Sequence, residues 1–159
     1  MDEKAFEERI LALEPKLYHT ACAILWNDAD AADAMQECIL KAWRKQDSLK
    51  DPERFSAWTM RILINECRNV QRRSRNRTVS LEDAMVKQEP IGEETMDLGL
   101  RQALRALPPK LRLPLLLHHM DGYSLEEIAG MLRLPVSTVK GRLYEARKRL
   151  RALLEKEAL

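Results

Sequence analysis

The sequence predicts an all-α protein of two small helical domains, and three observations predict it. Ala, Leu, Arg, Glu and Lys dominate, while Gly contributes only 5 of 159 residues and aromatics 5%, a balance that favours helices over sheets and turns. Apolar residues recur at intervals of three and four through both halves. Between the halves, residues 77–94 (RTVSLEDAMVKQEPIGEE) lose that period and include Pro90 and Gly92, which marks a flexible linker. The expected organisation is a domain over residues 1–76, the linker over 77–94 and a second domain over 95–159. Fully stretched, the 18 linker residues reach about 60 Å, and as a coil roughly 23 Å.

In the first segment Phe6, Ile10, Leu13, Leu17, Ala21 and Ile24 form one helical stripe that ends near Trp26 and Asn27, with Pro15 a candidate point for a kink or break. Asp30 is then a capping residue for a second helix, with Asp33 in its first turn and Ala32, Met35, Ile39 and Ala42 on its buried side, running to about Lys45. Asp51 followed by Pro52 is a cap before the imino acid suited to a first helical position, so a third helix starts there. Phe55, Trp58, Ile62 and Val70 keep its apolar period, and Arg61, Asn65, Arg68 and Arg72 fall on a separate polar face.

The second half opens with a helix through Leu98, Leu104 and Leu107, breaks at Pro108-Pro109 and resumes through Leu111, Leu115 and Leu116. After the turn Asp121-Gly122-Tyr123, Ser124 and Glu127 form a capping box that opens the helix LEEIAGMLR. A turn near Leu134 and Pro135 leads into a long helix with Val139, Leu143, Ala146, Leu150 and Leu153 in register.

The formal charge of +2 conceals patches of opposite sign. Six Arg and one acid lie in residues 61–77, six basic residues and one acid in 140–151, and six acids and one Lys in 79–97. Three widely spaced cysteines (Cys22, Cys38, Cys67) in apolar helical contexts read as buried reduced thiols rather than as a zinc site or disulfide framework. No apolar run reaches the length of a membrane span and the N-terminus MDEKAFEERI is too charged for a secretory signal, so a cytoplasmic protein without membrane insertion is expected.

Residues 124–151 carry the most specific pattern: a short helix, a tight turn and a longer basic helix, the helix-turn-helix arrangement. Ala129, Leu132, Val139 and Leu143 would pack the two helices together. The second helix then offers Ser137, Thr138, Lys140, Arg142, Tyr144, Glu145 and Arg147 to a major groove. Arg and Lys can reach guanine O6 and N7, and Glu can accept from cytosine N4, so that face holds base-reading as well as phosphate-binding chemistry.

The run DGYSLEEIAGMLRLPVSTVKGRLYEARKRL resembles the fourth region of extracytoplasmic-function (ECF) sigma factors of the sigma-70 family. In the front half, DAADAMQECILKAWRK resembles the family's polymerase-binding second region, and FSAWTMRILINECRNVQRR the segment that engages the melted promoter element. The resemblance covers roughly residues 5–75 and 95–155 in the family's order. It implies a region 2 helical bundle that binds core RNA polymerase and melts the −10 element, a region 4 helix-turn-helix that reads the −35 element, and commonly an anti-sigma factor that covers both.

Carried onto residues, the resemblance implies that Asp33, Gln36 and Glu37 meet the clamp helices of the polymerase's largest subunit, and that the second-largest subunit's flap is a further partner. Leu49, Lys50 and Asp51 stand where the family has a loop holding a flipped base, and Asn65 where it has a residue reaching the same strand. Arg61, Arg68, Arg72 and Arg73 would track phosphates. Two positions depart from the family's habit, Gly141 where Ser is frequent and Glu145 where Arg or His is frequent, so the promoter sequence read here is expected to differ.

His118 and His119 are adjacent, project about 100° apart on a helix and do not converge on one ion. No nucleophile with a base partner, glycine-rich phosphate loop or paired-carboxylate motif is present. No metal, cofactor or enzymatic activity is expected. Two rival readings stay open from the sequence: a free-standing helix-turn-helix regulator, which would carry a ligand or receiver domain in front, and a redox sensor acting through the three cysteines.

Overall fold

The computed structural model describes residues 1–76 and 98–157, and the linker expected over 77–94 lies outside them. Seven α-helices and two short 3₁₀ turns make up the described residues, with no strand among them. They fall into two compact units. The first contains α1 (Glu3–Leu25), α2 (Asp28–Arg44) and α3 (Phe55–Asn76), and the second α4 (Leu98–Ala106), α5 (Pro109–His119), α6 (Leu125–Leu132) and α7 (Val136–Glu157).

Helix α1 starts at Asp2, whose carboxylate accepts the Ala5 amide at 2.8 Å, and runs through Pro15 without a break. Proline is tolerated because the N–H it lacks would have served the Leu11 carbonyl on the solvent side, where Leu11 is 58% exposed, while Leu13 and Leu17 keep the stripe buried. The helix stops at Trp26, which adopts the left-handed conformation (φ 54°).

Helix α2 begins three residues earlier than the sequence suggested. Asn27, not Asp30, is its cap: the Asn27 side chain accepts the Asp30 amide at 2.9 Å. Its buried face is also rotated. Ala31, Ala34, Met35, Cys38 and Ala42 are buried, whereas Ala32 is exposed and Ile39 sits at the rim. Small side chains occupy the contact because α1 and α3 both pack on this helix, so close approach mattered more than side-chain size.

Between α2 and α3 the chain makes 3₁₀ turns at Gln46–Ser48 and Pro52–Arg54, and Asp51 caps the second by accepting the Glu53 amide at 3.0 Å. The α-helix proper starts at Phe55, three residues after the proline. Phe55, Met60, Leu63, Ile64, Cys67 and Val70 face the core, and Phe6 meets the rings of Trp43 and Phe55 edge-on at 5.1 and 5.9 Å. Trp58 and Ile62, expected on the apolar face, are half-buried flanks.

In the second unit Leu98 is 60% exposed, and the core begins with Ala103 and Leu104. Arg112 of α5 is buried and closes the end of α4: its Nε donates to the Leu104 carbonyl at 3.0 Å and its Nη2 to Leu107 at 2.9 Å. A cation thus supplies donors to carbonyls at the helix terminus, where it also offsets the negative end of the helix dipole. Nothing in the sequence pattern distinguishes Arg112 from a surface arginine. Gly122 (φ 78°) makes the turn before α6. Helices α6 and α7 then pack through Ala129, Leu132, Val139 and Leu143, all buried as expected.

Arg112→Leu should destabilise the second unit by about 3 kcal/mol, because the apolar replacement removes the charged donors that Arg112 supplies to the Leu104 and Leu107 carbonyls. Calorimetry of the full chain would measure this, and a change under about 0.5 kcal/mol would mean that water replaces the guanidinium.

Candidate functional site

The helix-turn-helix is set by backbone chemistry at two points. Ser124 Oγ accepts the Glu127 amide at 3.1 Å while Glu127 Oε1 accepts the Ser124 amide at 3.0 Å, the reciprocal pair expected from the sequence. At the other end Arg133 takes the left-handed conformation (φ 57°), and the Leu134 amide donates to the Ala129 carbonyl at 3.0 Å. The chain then enters α7 after Pro135.

On α7, Ser137, Lys140, Gly141, Tyr144, Arg147 and Lys148 are exposed, and Thr138, Arg142 and Glu145 are partly covered. Tyr144 is 68% exposed. A Cβ at Gly141 would meet nothing within 4 Å, so the surface there is open. Two of these side chains are engaged within the protein. Glu145 Oε1 pairs with Arg149 Nε at 3.0 Å one turn on, so its charge is offset by a neighbour. Arg147 Nε donates to His119 Nε2 of α5 at 3.0 Å.

His119 was not singled out by the sequence as a partner of the recognition helix. Its ring stands edge-on to His118 at 5.0 Å, and His118 Nδ1 donates to the Tyr123 carbonyl at 2.9 Å. Desolvation, then the Arg147 charge, then His118 hold the His119 imidazole below its ordinary value, which keeps Nε2 an acceptor for Arg147. Among the described residues no group of three potential ligands is placed to hold a metal ion.

Beside this pair lies an apolar groove of about 620 Å³ between α4, α5 and α7, floored by Leu100, Leu104, Leu115 and Leu150, with Met120 and Arg147 at its edge. Met120 is 52% exposed. Periodicity alone could not reveal a groove formed by three helix ends.

In the first unit, Arg61, Arg68 and Arg72 are exposed and Asn65 half-buried along one side of α3. Their spacing of four, three and four residues keeps them within one narrow sector of the helix. The loop before α3 brings Leu49, Lys50 and Asp51 between the two 3₁₀ turns, with Leu49 half-buried and the other two exposed. Asp51 is also engaged in capping. Arg9 of α1, which the sequence did not flag, fixes this loop by donating to the Pro52 carbonyl at 2.8 Å and by standing 5.7 Å from the Phe55 ring centre.

Asp33, Gln36 and Glu37 are exposed on the face of α2 that points away from its core residues. Leu40 continues that face at the next turn and is 46% exposed. Its position three and four residues after Glu37 and Gln36 is the signal that would have grouped it with them.

The three cysteines are free and buried. Burial, with a smaller contribution from the Glu66 charge, pushes the Cys38 thiol up to about 12, and Cys67 is raised mainly by burial. Thiolate is scarce in such sites, which speaks against the redox reading.

Comparison with known proteins places these faces in context. Residues 10–78 match the family model for sigma-70 region 2, and residues 98–150 the model for sigma-70 region 4. The ECF RNA polymerase sigma factor SigM of Mycobacterium tuberculosis is 31% identical over 154 residues, covering 96% of this chain and 79% of that protein. The sigma factor RpoE of Bartonella quintana, solved in complex with the anti-sigma factor NepR, is similar with a TM-score of 0.78 and 31% identity, over 96% of this chain and 98% of that one. CnrH, solved in complex with the cytosolic domain of CnrY, is similar with a TM-score of 0.70 and 29% identity, over 98% and 90% of the two chains.

The His119 imidazole should titrate below 6.5, and Arg147→Ala should move its midpoint upward, since the cation beside it is removed. A folded-state value below the unfolded one means that this group's contribution to stability is present above pH 6.5 and is lost as pH falls through the folded value. NMR titration of the ring protons in the two proteins reads this directly, and an unmoved midpoint would show that Arg147 does not face His119 in solution.

Proposed function

The chain belongs to the ECF branch of the sigma-70 family, as a sigma factor that binds core RNA polymerase and directs promoter-specific initiation, and from that premise we propose which of its faces does each part of the work. Sigma factors are non-enzymatic initiation factors, and the phosphoryl-transfer chemistry is the polymerase's.

We assign residues 1–76 to polymerase binding and to recognition and melting of the −10 element, 77–94 to a connector, and 95–159 to recognition of the −35 element. Asp33, Gln36 and Glu37, extended by Leu40, meet the clamp helices of the largest subunit. The exposed carboxylates supply charge for basic partners and the leucine an apolar anchor. Leu49, Lys50 and Asp51 receive an unstacked base, and Asn65 reaches the same strand while Arg61, Arg68 and Arg72 follow its phosphates. In α7, Ser137, Thr138, Lys140, Arg142 and Tyr144 present polar atoms to the major groove, Gly141 leaves room for close approach, and Glu145 and Arg147 act from within their pairs.

The groove between α4, α5 and α7 is apolar and exposed, and we place the flap of the second-largest subunit there. Because RpoE of Bartonella quintana is seen bound to the anti-sigma factor NepR, we extend control by an anti-sigma factor to this chain. No helix among the described residues is long and apolar enough to cross a membrane, which fits action in the cytoplasm.

The observation that carries this reading is the presence, in one chain, of a helix-turn-helix with an open polar face and a separate unit whose arginine-bearing helix packs on an acidic one. A free-standing regulator has no use for the second. Run-off transcription with core polymerase and a promoter library tests it: discrete start sites are expected, and tight duplex binding without any association with core would overturn it.

Lys140 lies in the first turns of α7 and Lys148 two turns later, so they should differ in kind. Lys140→Ala should weaken upstream-element binding by about 1–3 kcal/mol and relax preference at one or two base positions, whereas Lys148→Ala should weaken all sequences alike and lower the salt dependence. Titration of holoenzyme on single-base promoter variants at two salt concentrations separates these. Uniform losses for Lys140→Ala would make it a phosphate contact.

A further inference from the structure

Glu66 is one of only four buried polar or charged residues among those described, and the division of faces above gives it no part. Its carboxylate, 6% exposed, pairs with Lys41 Nζ of α2. Asn69 Nδ2 donates to the same Glu66 oxygen at 3.5 Å, and Asn69 Oδ1 accepts from Arg72 Nη2. Polar side chains therefore run without interruption from α2, across the α2–α3 contact, to an arginine on the exposed polar face of α3.

Helical geometry explains the path. Three residues turn a helix by about 300°, or 60° short of a full circle, so Glu66, Asn69 and Arg72 step successively from the core edge to the polar face. At the other end Lys41 lies one turn after Glu37, on the border between the buried and exposed sides of α2. The amide of Asn69 has its two ends committed in opposite senses, nitrogen to the carboxylate and oxygen to the guanidinium. Its orientation, and with it that of Arg72, follows from where the Glu66 carboxylate is held.

We infer that Glu66 and Asn69 are positioning residues for capture of the single-stranded promoter segment: Glu66, anchored by Lys41, orients Asn69, which presents the Arg72 guanidinium to the non-template strand in a fixed relation to α2. This rests on the reading of Arg72 as a phosphate contact, and the test separates the two. Arg72, which has several torsions, would otherwise lose more conformational freedom on meeting the strand. Pre-orientation should therefore appear in strand affinity and its salt dependence, not in assembly with core.

The experiment measures holoenzyme binding to a forked promoter with a single-stranded non-template segment, at several salt concentrations, for Arg72→Ala, Asn69→Ala, the double variant and Glu66→Gln, with affinity for core measured in parallel. Asn69 is half-buried on a helix surface, so Asn69→Ala should fold. Arg72→Ala should lower forked-promoter affinity about fivefold and reduce the salt slope by about one contact. Asn69→Ala should lose about half of that in logarithmic terms at unchanged core affinity, and the double variant should be no weaker than Arg72→Ala. Glu66→Gln should shift in the same direction as Asn69→Ala. Should Arg72→Ala bind as the parent does, the phosphate reading fails and this inference with it. A loss for Arg72→Ala with none for Asn69→Ala, or additive losses in the double variant, overturns the relay alone, and parental strand affinity in Glu66→Gln removes its anchor. If Glu66→Gln does not fold, the Asn69 and Arg72 cycle still decides.

Discussion

Both units are small enough that core is scarce, and that shortage shapes everything else in the protein. A unit of three or four helices can give each helix only one buried face, because a bundle this thin has no second layer. In α2 that face is Ala31, Ala34, Cys38 and Ala42, and in α3 it is Leu63, Ile64, Cys67 and Val70. The opposite faces are left to solvent, and those are where Asp33, Gln36 and Glu37, or Arg61, Arg68 and Arg72, are displayed. Binding surface and core are two sides of the same helices, so a shift in packing rotates the binding face by the same angle.

The same shortage makes each buried polar group consequential. Arg112 and Glu66 are both buried, and each is matched: Arg112 by carbonyls at the end of α4, Glu66 by Lys41 and Asn69. Exposed pairs such as Glu145 with Arg149 contribute a few tenths of a kcal/mol at most and act mainly by setting where charge is available. The difference matters for function. Buried pairs fix how helices sit, while surface pairs decide which cations on α7 are already engaged within the protein.

Membership in the sigma-70 family gives these faces a common purpose, since a sigma factor must hold polymerase and promoter at once. The two units carry complementary chemistry for it. The first displays exposed carboxylates on α2 and exposed arginines on α3, and the second an apolar groove and a helix with an open polar face. His119 and Arg147 stand where the groove and the reading helix meet, so within the second unit one side chain borders both surfaces.

Local patterns were enough to determine the helical class, the capping box at Ser124 and Glu127, the turn before Pro135, and the apolar seam of Ala129, Leu132, Val139 and Leu143. Each depends on residues within a few positions of one another, which is the range over which backbone hydrogen bonds and helical period act. The same reading missed the cap at Asn27 and the rotation of the α2 face, and it left open whether α1 breaks at Pro15, which the helix passes intact. The rotation was decided by the neighbours that α1 and α3 place against α2, information that periodicity does not contain, whereas the Asn27 cap is a local bond to the Asp30 amide and Pro15 is tolerated because its side of the helix faces solvent. Arg9 on the Pro52 carbonyl, Arg112 on the end of α4, Lys41 on Glu66 and His119 on Arg147 join residues far apart along the chain, or across a helix break. An arginine or glutamate at such a position looks like any surface charge until the tertiary fold brings its partner within reach, because only then does burial make an unmatched charge too costly to keep.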